Sequence, residues 1–381
     1  MARGAGSAVR ARVVEEAPAS AEDRKKPPVK QDVHKEDAAP KQEAAPSSTP
    51  KPKKQPAVTK GTDLQDVYQP ASQSASLGTL IPKNMAAPIR DALENLREKH
   101  GDIDAFVAKE LGYKDAAELA GHFAGEQVDA IALAIDNMSR GAGFITGDQT
   151  GIGKGRVNAA IIRWAKRNGK TPVFVTMKPE LYADMIRDLN DIGETGFNPL
   201  PTNKLRGKNA IALPDGGKLE SPSNLDKVIA KAISQGKLEG FDGIFTTYSQ
   251  LAPSNGKDSP RRELLRSLNE NTVLILDESH NAGGSDKGKY KKKDAAKSTG
   301  EYLRERIAES PNGVFYSSAT YAKRPDVMSL YAKTDMQHAV EDLDQLTEIM
   351  SRGGIPMQQA VAAMLTQAGQ YIRREKSFEG A

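Results

Sequence analysis

The fold of this chain is decided by ten residues, Gly147–Arg156, which read Gly-Asp-Gln-Thr-Gly-Ile-Gly-Lys-Gly-Arg. An apolar run, Ala142–Thr146, leads into them, and Val157–Ala165 follow with apolar residues at helical spacing. A strand, a glycine-rich turn and a helix in this order are the context that a phosphate-binding loop requires. The stretch therefore predicts a nucleotide-binding α/β domain, in preference to a glycine-rich turn that binds nothing.

The residue types in this loop suit the binding of phosphate. Gly151 and Gly153 allow a tight turn in which successive N–H groups point at a triphosphate. Lys154, where the helix begins, can reach the outer phosphates. Two positions depart from the pattern Gly-x-x-x-x-Gly-Lys-[Ser/Thr]: Asp148 stands at the first glycine, and Gly155 replaces the hydroxyl residue that normally binds magnesium.

The composition excludes several classes of protein. The 381 residues contain no cysteine, which excludes disulfides, thiolate catalysis and cysteine-bound metals. No apolar run approaches the ~20 residues of a membrane span, and the N-terminus lacks the apolar stretch of a signal peptide. Residues 1–60 hold 13 Lys and Arg against 8 Asp and Glu, a net +5, so the remainder (41 against 42) is net −1. Any affinity of the folded part for nucleic acid must therefore come from local patches.

The pattern along the chain predicts four parts. Residues 1–78 are rich in Ala, Pro, Lys, Glu and Ser, with few large apolar side chains, so we expect a disordered tail. Residues 79–122 follow as a small helical segment and residues 123–335 as the α/β lobe. We expect residues 336–381 to be a helical segment that is cut off before a second lobe.

Apolar runs of β-type residues alternate with helical patterns after the loop, which predicts a parallel sheet flanked by helices. One run, Val273–Leu276, enters Asp277 and Glu278. Asp277 is placed to hold magnesium, and Glu278 to accept the proton of a water that attacks the γ-phosphate. An acidic pair after a strand also serves as an ordinary helix cap. The phosphate loop upstream favours the metal and base roles.

Three sets of residues, in this order, resemble motifs I, II and III of superfamily 2 helicases. They are Asp148-x-x-Gly151-x-Gly153-Lys154, Asp277-Glu278-x-His280 and Ser318-Ala319-Thr320. The glycine after the lysine makes the loop similar to that of the strawberry notch family. Arg187-Asp188-Leu189 and the closing segment Tyr371–Phe378 also resemble that family, and the resemblance covers about residues 120–380.

The resemblance implies a RecA-like P-loop NTPase lobe that binds ATP and Mg²⁺. In such a lobe the strand Gly313–Tyr316 should lie between the strand that enters Gly147 and Val273–Leu276, whereas a kinase-like lobe would place the last two side by side. The residues that carry over are Gln127 for adenine; Thr150, Gly151, Gly153, Lys154, Gly155 and Arg156 for phosphate; Asp277 for magnesium; Glu278 as general base; His280, Ser318 and Thr320 for coupling hydrolysis to movement; and Lys178, Thr246, Thr247 and Tyr248 for nucleic acid.

Some of these positions have a plainer interpretation. Gln127 at a helix start is usually a cap or a surface residue, and the last four residues could be ordinary strand ends and helix caps. Thr150 or water could replace the hydroxyl that Gly155 lacks.

Three functional hypotheses follow. The first is the ATP-binding motor lobe of a helicase-like or translocase-like protein that acts on DNA, completed by a second RecA-like lobe, in cis or in trans, that supplies arginine fingers. The second is a nucleotide-binding scaffold or transcription-regulatory module without useful turnover. The third, a small-molecule P-loop kinase, gives Ser318–Thr320 no role. We expect no membrane partner, and a location in the cytoplasm for a bacterial or phage protein or in the nucleus for a eukaryotic one, not secretion.

Overall fold

The computed structural model describes residues 64–282, 296–319, 330–338 and 343–376. Its strands are β1 (Gln65–Val67), β2 (Thr79–Pro82), β3 (Phe144–Thr146), β4 (Thr171–Thr176), β5 (Pro199–Pro201), β6 (Ile211–Ala212), β7 (Lys218–Leu219), β8 (Gly243–Thr247), β9 (Thr272–Asp277), β10 (Val314–Ser317), β11 (Tyr371–Ile372) and β12 (Glu375–Lys376). Its α-helices are α1 (Lys83–His100), α2 (Ile103–Leu111), α3 (Ala116–His122), α4 (Gly125–Ser139), α5 (Lys154–Arg167), α6 (Leu181–Asp191), α7 (Leu225–Gln235), α8 (Pro260–Ser267), α9 (Thr299–Glu309) and α10 (Leu343–Gln367).

The main sheet has seven strands in the order β11-β3-β10-β9-β4-β8-β5, and every neighbouring pair is parallel. β10 lies between β3 and β9, with Ser317 beside Thr146 on one side and beside Asp277 on the other. The parallel sheet and the position of its motif III strand are therefore confirmed. The kinase-like order, with β9 directly beside β3, is not the order of this sheet.

The core strands are buried, and most of their buried side chains are apolar. β8 and β10 have no exposed residue, and in β4 and β9 only one end residue of each is partly exposed. Helices α4 and α5 pack against each other and against the middle of the sheet. α5 buries one apolar stripe that includes Val157, Ile161 and Trp164. The helical periodicity predicted for this segment is confirmed.

The folded body begins earlier than expected, because residues 64–78 are part of it. Tyr68 is buried, and its hydroxyl donates a hydrogen bond of 2.7 Å to Asp129 of α4. Two backbone N–H groups of the same segment also donate to this carboxylate. The boundary of the disordered tail at residue 78 is therefore wrong. Composition missed it since hydrogen bonds to a buried carboxylate, and not a run of apolar side chains, anchor the segment. Residues 1–63 lie outside the described residues.

The C-terminal part is not only helical. After α10, β11 joins the main sheet at its edge beside β3, and β12 pairs antiparallel with β2. At the opposite edge of the main sheet, β5 pairs parallel with β8. The expected helical segment at 336–381 therefore contains α10 and also contributes β11 and β12 to the two sheets.

Candidate nucleotide-binding site

The phosphate loop joins β3 to α5. Gly151 (φ 95°) and Gly153 (φ 88°) adopt left-handed backbone conformations, which side-chain-bearing residues rarely adopt. Gly153 is the N-cap of α5, so Lys154 is the first residue of the helix. The positive end of the helix dipole therefore lies at the loop, where it favours an anion.

The aspartate at the first glycine position of the loop is held from inside the protein. Asp148 is 1% exposed, and it faces Arg374, which is 0% exposed. Arg374 donates from Nη2 to Asp148 Oδ2 at 2.6 Å, and from Nε and its own backbone N–H to Oδ1 at 3.1 and 2.8 Å. Its Nη1 donates to the backbone carbonyl of Glu126. Asp148 thus ties the phosphate loop to the segment after β11.

Asp277, which ends β9, is positioned by neutral donors. Thr176 Oγ1, at the end of the adjacent β4, donates to Asp277 Oδ2 at 3.0 Å, and Asn158 Nδ2 of α5 donates to Oδ1 at 3.2 Å. Burial raises the pKa of Asp277 to about 6, with a further rise from Glu278, while hydrogen bonds and Lys154 act in the opposite direction. A partly buried carboxylate without a close cation of its own is suited to receive one from solution.

Glu278 lies between the phosphate loop and the motif III strand. Its backbone is left-handed (φ 47°), and its Oε1 lies 3.4 Å from Lys154 Nζ. Its Oε2 is 3.3 Å from Nδ1 of His280, and the same nitrogen is 2.8 Å from Ser318 Oγ. The structure thus connects His280 with the end of β10. Thr320 lies outside the described residues.

Gln127, near the start of α4, is hydrogen-bonded to the phosphate loop. Its amide oxygen accepts from the backbone N–H of Ala124 at 3.0 Å, which caps α4, and its Nε2 donates to the carbonyl of Ile152 at 3.0 Å. Gln127 is 5% exposed. It therefore has the capping role that its position at a helix start indicates, and it also fixes the loop. Contact with adenine stays a prediction.

A cavity of about 650 Å³ brings these elements together. Its lining includes all seven residues predicted to bind nucleotide, together with Asp277 and Glu278, while α6 forms another part of the wall. The two arginines in the lining pair with carboxylates. Arg156 lies 3.3 Å from Asp191, and Arg187 pairs with Asp184 and Asp188. The seven residues are Gln127, Thr150, Gly151, Gly153, Lys154, Gly155 and Arg156.

Sequence reasoning missed several residues that shape the site. Arg374, Thr176 and Asn158 each hold a carboxylate of the motifs, yet no motif reasoning assigned them that role. Asn158 had one usable signal, since it lies one helical turn after Lys154 and so on the same face of α5. The partner of Asp148 had no local signal, because 226 residues separate the two positions.

The residues predicted to contact nucleic acid divide into two groups. Lys178 is exposed just after β4. Thr246 and Thr247 are 0% exposed and bond to other hydroxyls, and Tyr248 donates from its buried hydroxyl to the backbone carbonyl of Asp277 at 2.8 Å. All three side chains are buried, and a contact between them and nucleic acid stays a prediction. Contact by Lys178 stays a prediction.

Comparison with known proteins points to one family. The family model described as P-loop containing NTP hydrolase pore-1 matches residues 110–381. Protein strawberry notch of Drosophila melanogaster is 28% identical over 68% of this chain and 15% of its own length. Protein FORGETTER 1 of Arabidopsis thaliana is 27% identical over 63% of this chain and 17% of its length. Strawberry notch homolog 1 of Gallus gallus is 29% identical over 63% of this chain and 18% of its length. The chain thus spans less than a fifth of these relatives.

Among solved structures, the SWI2/SNF2 ATPase core of Sulfolobus solfataricus in complex with dsDNA aligns with 66% of this chain and 44% of its own. Its TM-score is 0.42 and its identity 14%. Within the part of the chain that the structure describes, no helix has the length and apolar character needed to cross a membrane.

Proposed function

Because this chain belongs to the P-loop containing NTP hydrolase pore-1 family, we propose that it binds ATP with Mg²⁺ at the phosphate loop. We further propose that it is the motor lobe of a helicase-like or translocase-like ATPase that acts on DNA. The single observation that carries the proposal is the meeting of Lys154 and Glu278 on one cavity, with Nζ and Oε1 3.4 Å apart. In P-loop ATPases a lysine contacts the outer phosphates, and an acidic or amide side chain orients the attacking water.

Each residue has a role that its surroundings support. Lys154 and the N-terminal end of α5 bind the phosphates, and Glu278 accepts the proton of the attacking water. His280 lies within 3.3 Å of the other oxygen of Glu278, so it fixes the direction of this carboxylate. Asp277 holds Mg²⁺, since Thr176 and Asn158 set the orientation of its two oxygens. The bound ion supplies positive charge against the charge on the phosphates.

The two arginines of the cavity are paired with other groups, and this pairing favours a second lobe as the source of the catalytic arginine. Arg156 donates to the carbonyl of His122 and pairs with Asp191, and Arg187 pairs with Asp184 and Asp188. Neither guanidinium is held towards Glu278 by these contacts. An arginine that stabilises the transferring phosphoryl group is worth roughly 10³-fold or more in rate. We propose that a second RecA-like lobe, in cis or in trans, supplies it, and we expect slow hydrolysis by these 381 residues alone.

Action on DNA rests on the motif order and on the link between His280 and Ser318. This bond connects His280, which contacts Glu278, to the end of β10. A structural change at the nucleotide phosphates can therefore be transmitted to residues at the ends of the neighbouring strands. Lys178, exposed at the end of β4, is the residue that we propose contacts the DNA backbone. Lys178→Ala should weaken DNA binding and leave ATP affinity unchanged.

The test compares Lys154→Ala and Glu278→Gln with the unaltered protein, using a fluorescent ATP analogue for binding and phosphate release for turnover. Lys154→Ala should weaken nucleotide binding by about tenfold or more, since it removes a charged phosphate ligand. Glu278→Gln should bind normally and lose turnover. Lys114→Ala, an exposed lysine outside the cavity, is the matched control.

Unchanged affinity in Lys154→Ala, with unchanged thermal stability, would contradict nucleotide binding at this loop. Tight binding combined with no turnover, even with a second lobe and DNA present, would instead favour a nucleotide-binding scaffold.

A further inference from the structure

The phosphate loop lacks one magnesium ligand at a position where the structure offers another oxygen. In loops of this kind a Ser or Thr hydroxyl directly after the lysine binds the metal. Here that residue is Gly155, whose backbone does not have a positive φ. The conformation of the chain therefore does not explain the glycine.

Space explains it. A Cβ atom built on Gly155 would lie 2.0 Å from Oδ2 and 3.0 Å from Cγ of Asp188. The Asp188 carboxylate, on α6, thus fills the volume in which a Ser or Thr side chain at position 155 would begin. The Asp188 side chain is 13% exposed, and its other oxygen, Oδ1, accepts from Arg187 Nη2 at 3.3 Å. Oδ2 is therefore the oxygen presented at the phosphate loop.

We propose that Asp188 supplies the oxygen ligand for Mg²⁺ that the loop hydroxyl supplies in other P-loop proteins, and that it acts together with Asp277. The inference rests on the proposed nucleotide binding and concerns the metal at the same site. An aspartate in this role also explains why position 155 is a glycine, because any larger residue would displace the ligand.

The net charge of the residues that line the cavity favours the binding of a cation. Its lining holds five acidic side chains and three basic ones, a net charge of −2, in a place where a polyphosphate must bind. The two arginines are already paired with acidic residues of the same wall. A divalent ion bound beside Lys154 would offset this negative charge and strengthen the binding of a triphosphate.

Asn158 gives a second, independent indication. It lies on the same wall and is 2% exposed; its Nδ2 donates to Asp277, while its Oδ1 has no hydrogen-bond partner in the described part of the chain. A buried, unpartnered amide oxygen beside a metal-binding aspartate is suited to a donor from outside, such as a water of the hydrated ion.

The described residues contain no ready-made cluster of three or more His, Cys, Asp or Glu side chains for a metal. This agrees with the way Mg²⁺ binds in nucleotide sites, where one or two carboxylates act with phosphate oxygens and waters. Asp188 and Asp277 would be those two carboxylates. Binding of the ion is therefore expected to require the nucleotide.

The experiment measures the affinity for a fluorescent ATP analogue in Mg²⁺ and in EDTA, and the affinity of the nucleotide complex for Mn²⁺ by electron paramagnetic resonance. Asp188→Asn keeps the shape of the side chain, and we expect it to reduce the gain in affinity from Mg²⁺, and the affinity for Mn²⁺, at least tenfold. Affinity in EDTA should stay equal or rise, since a negative charge has gone. Asp184→Asn, also on α6 and in the cavity wall, is the control and should change the gain less than twofold.

An exchange variant sharpens the test. Gly155→Ser alone should lose the gain from Mg²⁺, because its Cβ meets the Asp188 carboxylate. Gly155→Ser combined with Asp188→Ala should recover most of it, with the metal ligand moved to its more usual place. A full gain from Mg²⁺ and normal Mn²⁺ affinity in folded Asp188→Asn would overturn the inference while leaving nucleotide binding intact. Failure of the unaltered protein to bind the analogue even in Mg²⁺ would overturn the proposed function itself, and this inference with it.

Discussion

Asp148 follows β3 and Asp277 ends β9, so both lie at the carboxyl ends of strands of the main sheet, and they differ in the group that faces each carboxylate. Asp148 is enclosed and accepts three hydrogen bonds from Arg374, which carries a permanent charge. Asp277 accepts from a hydroxyl and an amide, and burial raises its pKa to about 6. A buried carboxylate that is paired with a cation of the protein has a structural role. A carboxylate that accepts only from neutral donors can still bind a cation from solution.

The largest effect that this comparison predicts is on the Asp148 side. Arg374→Met should lower the free energy of unfolding by ~3–5 kcal/mol, because it leaves a buried carboxylate without its cation. Urea denaturation measures the change. Arg373→Ala removes a neighbouring exposed arginine that pairs with Glu375, and it should change stability by less than ~1 kcal/mol.

A double variant checks the cause. Asp148→Leu together with Arg374→Met should regain most of the loss, since both buried charges are then gone. A stability of Arg374→Met equal to that of the unaltered protein would mean that Asp148 is not held by this pair.

The second prediction applies one substitution to both aspartates. Asp148→Asn should destabilise the protein by about 2–4 kcal/mol, because it leaves Arg374 buried beside a neutral partner. Asp277→Asn should instead stabilise it by about 1–2 kcal/mol at pH 7, since burying the charged carboxylate is unfavourable where its pKa is raised. Thermal unfolding in EDTA, without nucleotide, measures both. Two shifts of the same sign would remove the distinction between the two sites.

The third prediction concerns pH. The folded protein holds the Asp277 proton more tightly than the unfolded chain does, with a pKa of about 6 against 3.8. Between these values the folded state binds more protons, so this residue lowers stability as pH rises. The advantage of Asp277→Asn should therefore be close to zero below about pH 4 and complete above about pH 6. Asp129, whose pKa burial also raises to about 6, is present in both proteins, so its contribution cancels. An advantage that does not vary with pH would point to packing as its cause.

The smallest expected effect is at the strand between the two aspartates. Ser318 is buried, and its hydroxyl bonds to His280 on the Asp277 side. Ser318→Ala should cost about 1 kcal/mol of stability and change nucleotide affinity less than twofold, since Ser318 is not among the residues that line the cavity. Titration with the fluorescent ATP analogue and urea denaturation measure the two quantities. A large loss of affinity would place the end of β10 in the binding site itself.

Features that depend on neighbours along the chain could be predicted from the amino-acid sequence. Glycines at 151 and 153 mark the left-handed turn, and the apolar runs before Gly147 and Asp277 mark buried parallel strands. The order of the motif strands followed from the resemblance to superfamily 2 helicases, and the structure confirms it. Such features have local signals, because backbone conformation and strand or helix periodicity are set within a few residues.

The partners of the buried charged groups became visible in the three-dimensional fold. Asp148 reads as a departure from a phosphate-loop pattern until Arg374, 226 residues later, is seen against it. Residues 64–78 read as part of a disordered tail until their hydrogen bonds to Asp129 are seen, and Gly155 reads as a missing ligand until Asp188 is seen beside it. Burial requires a polar group to have a partner, but the local sequence does not say which residue it is. That choice is made by the fold, when sheet and helices bring distant parts of the chain within hydrogen-bonding distance.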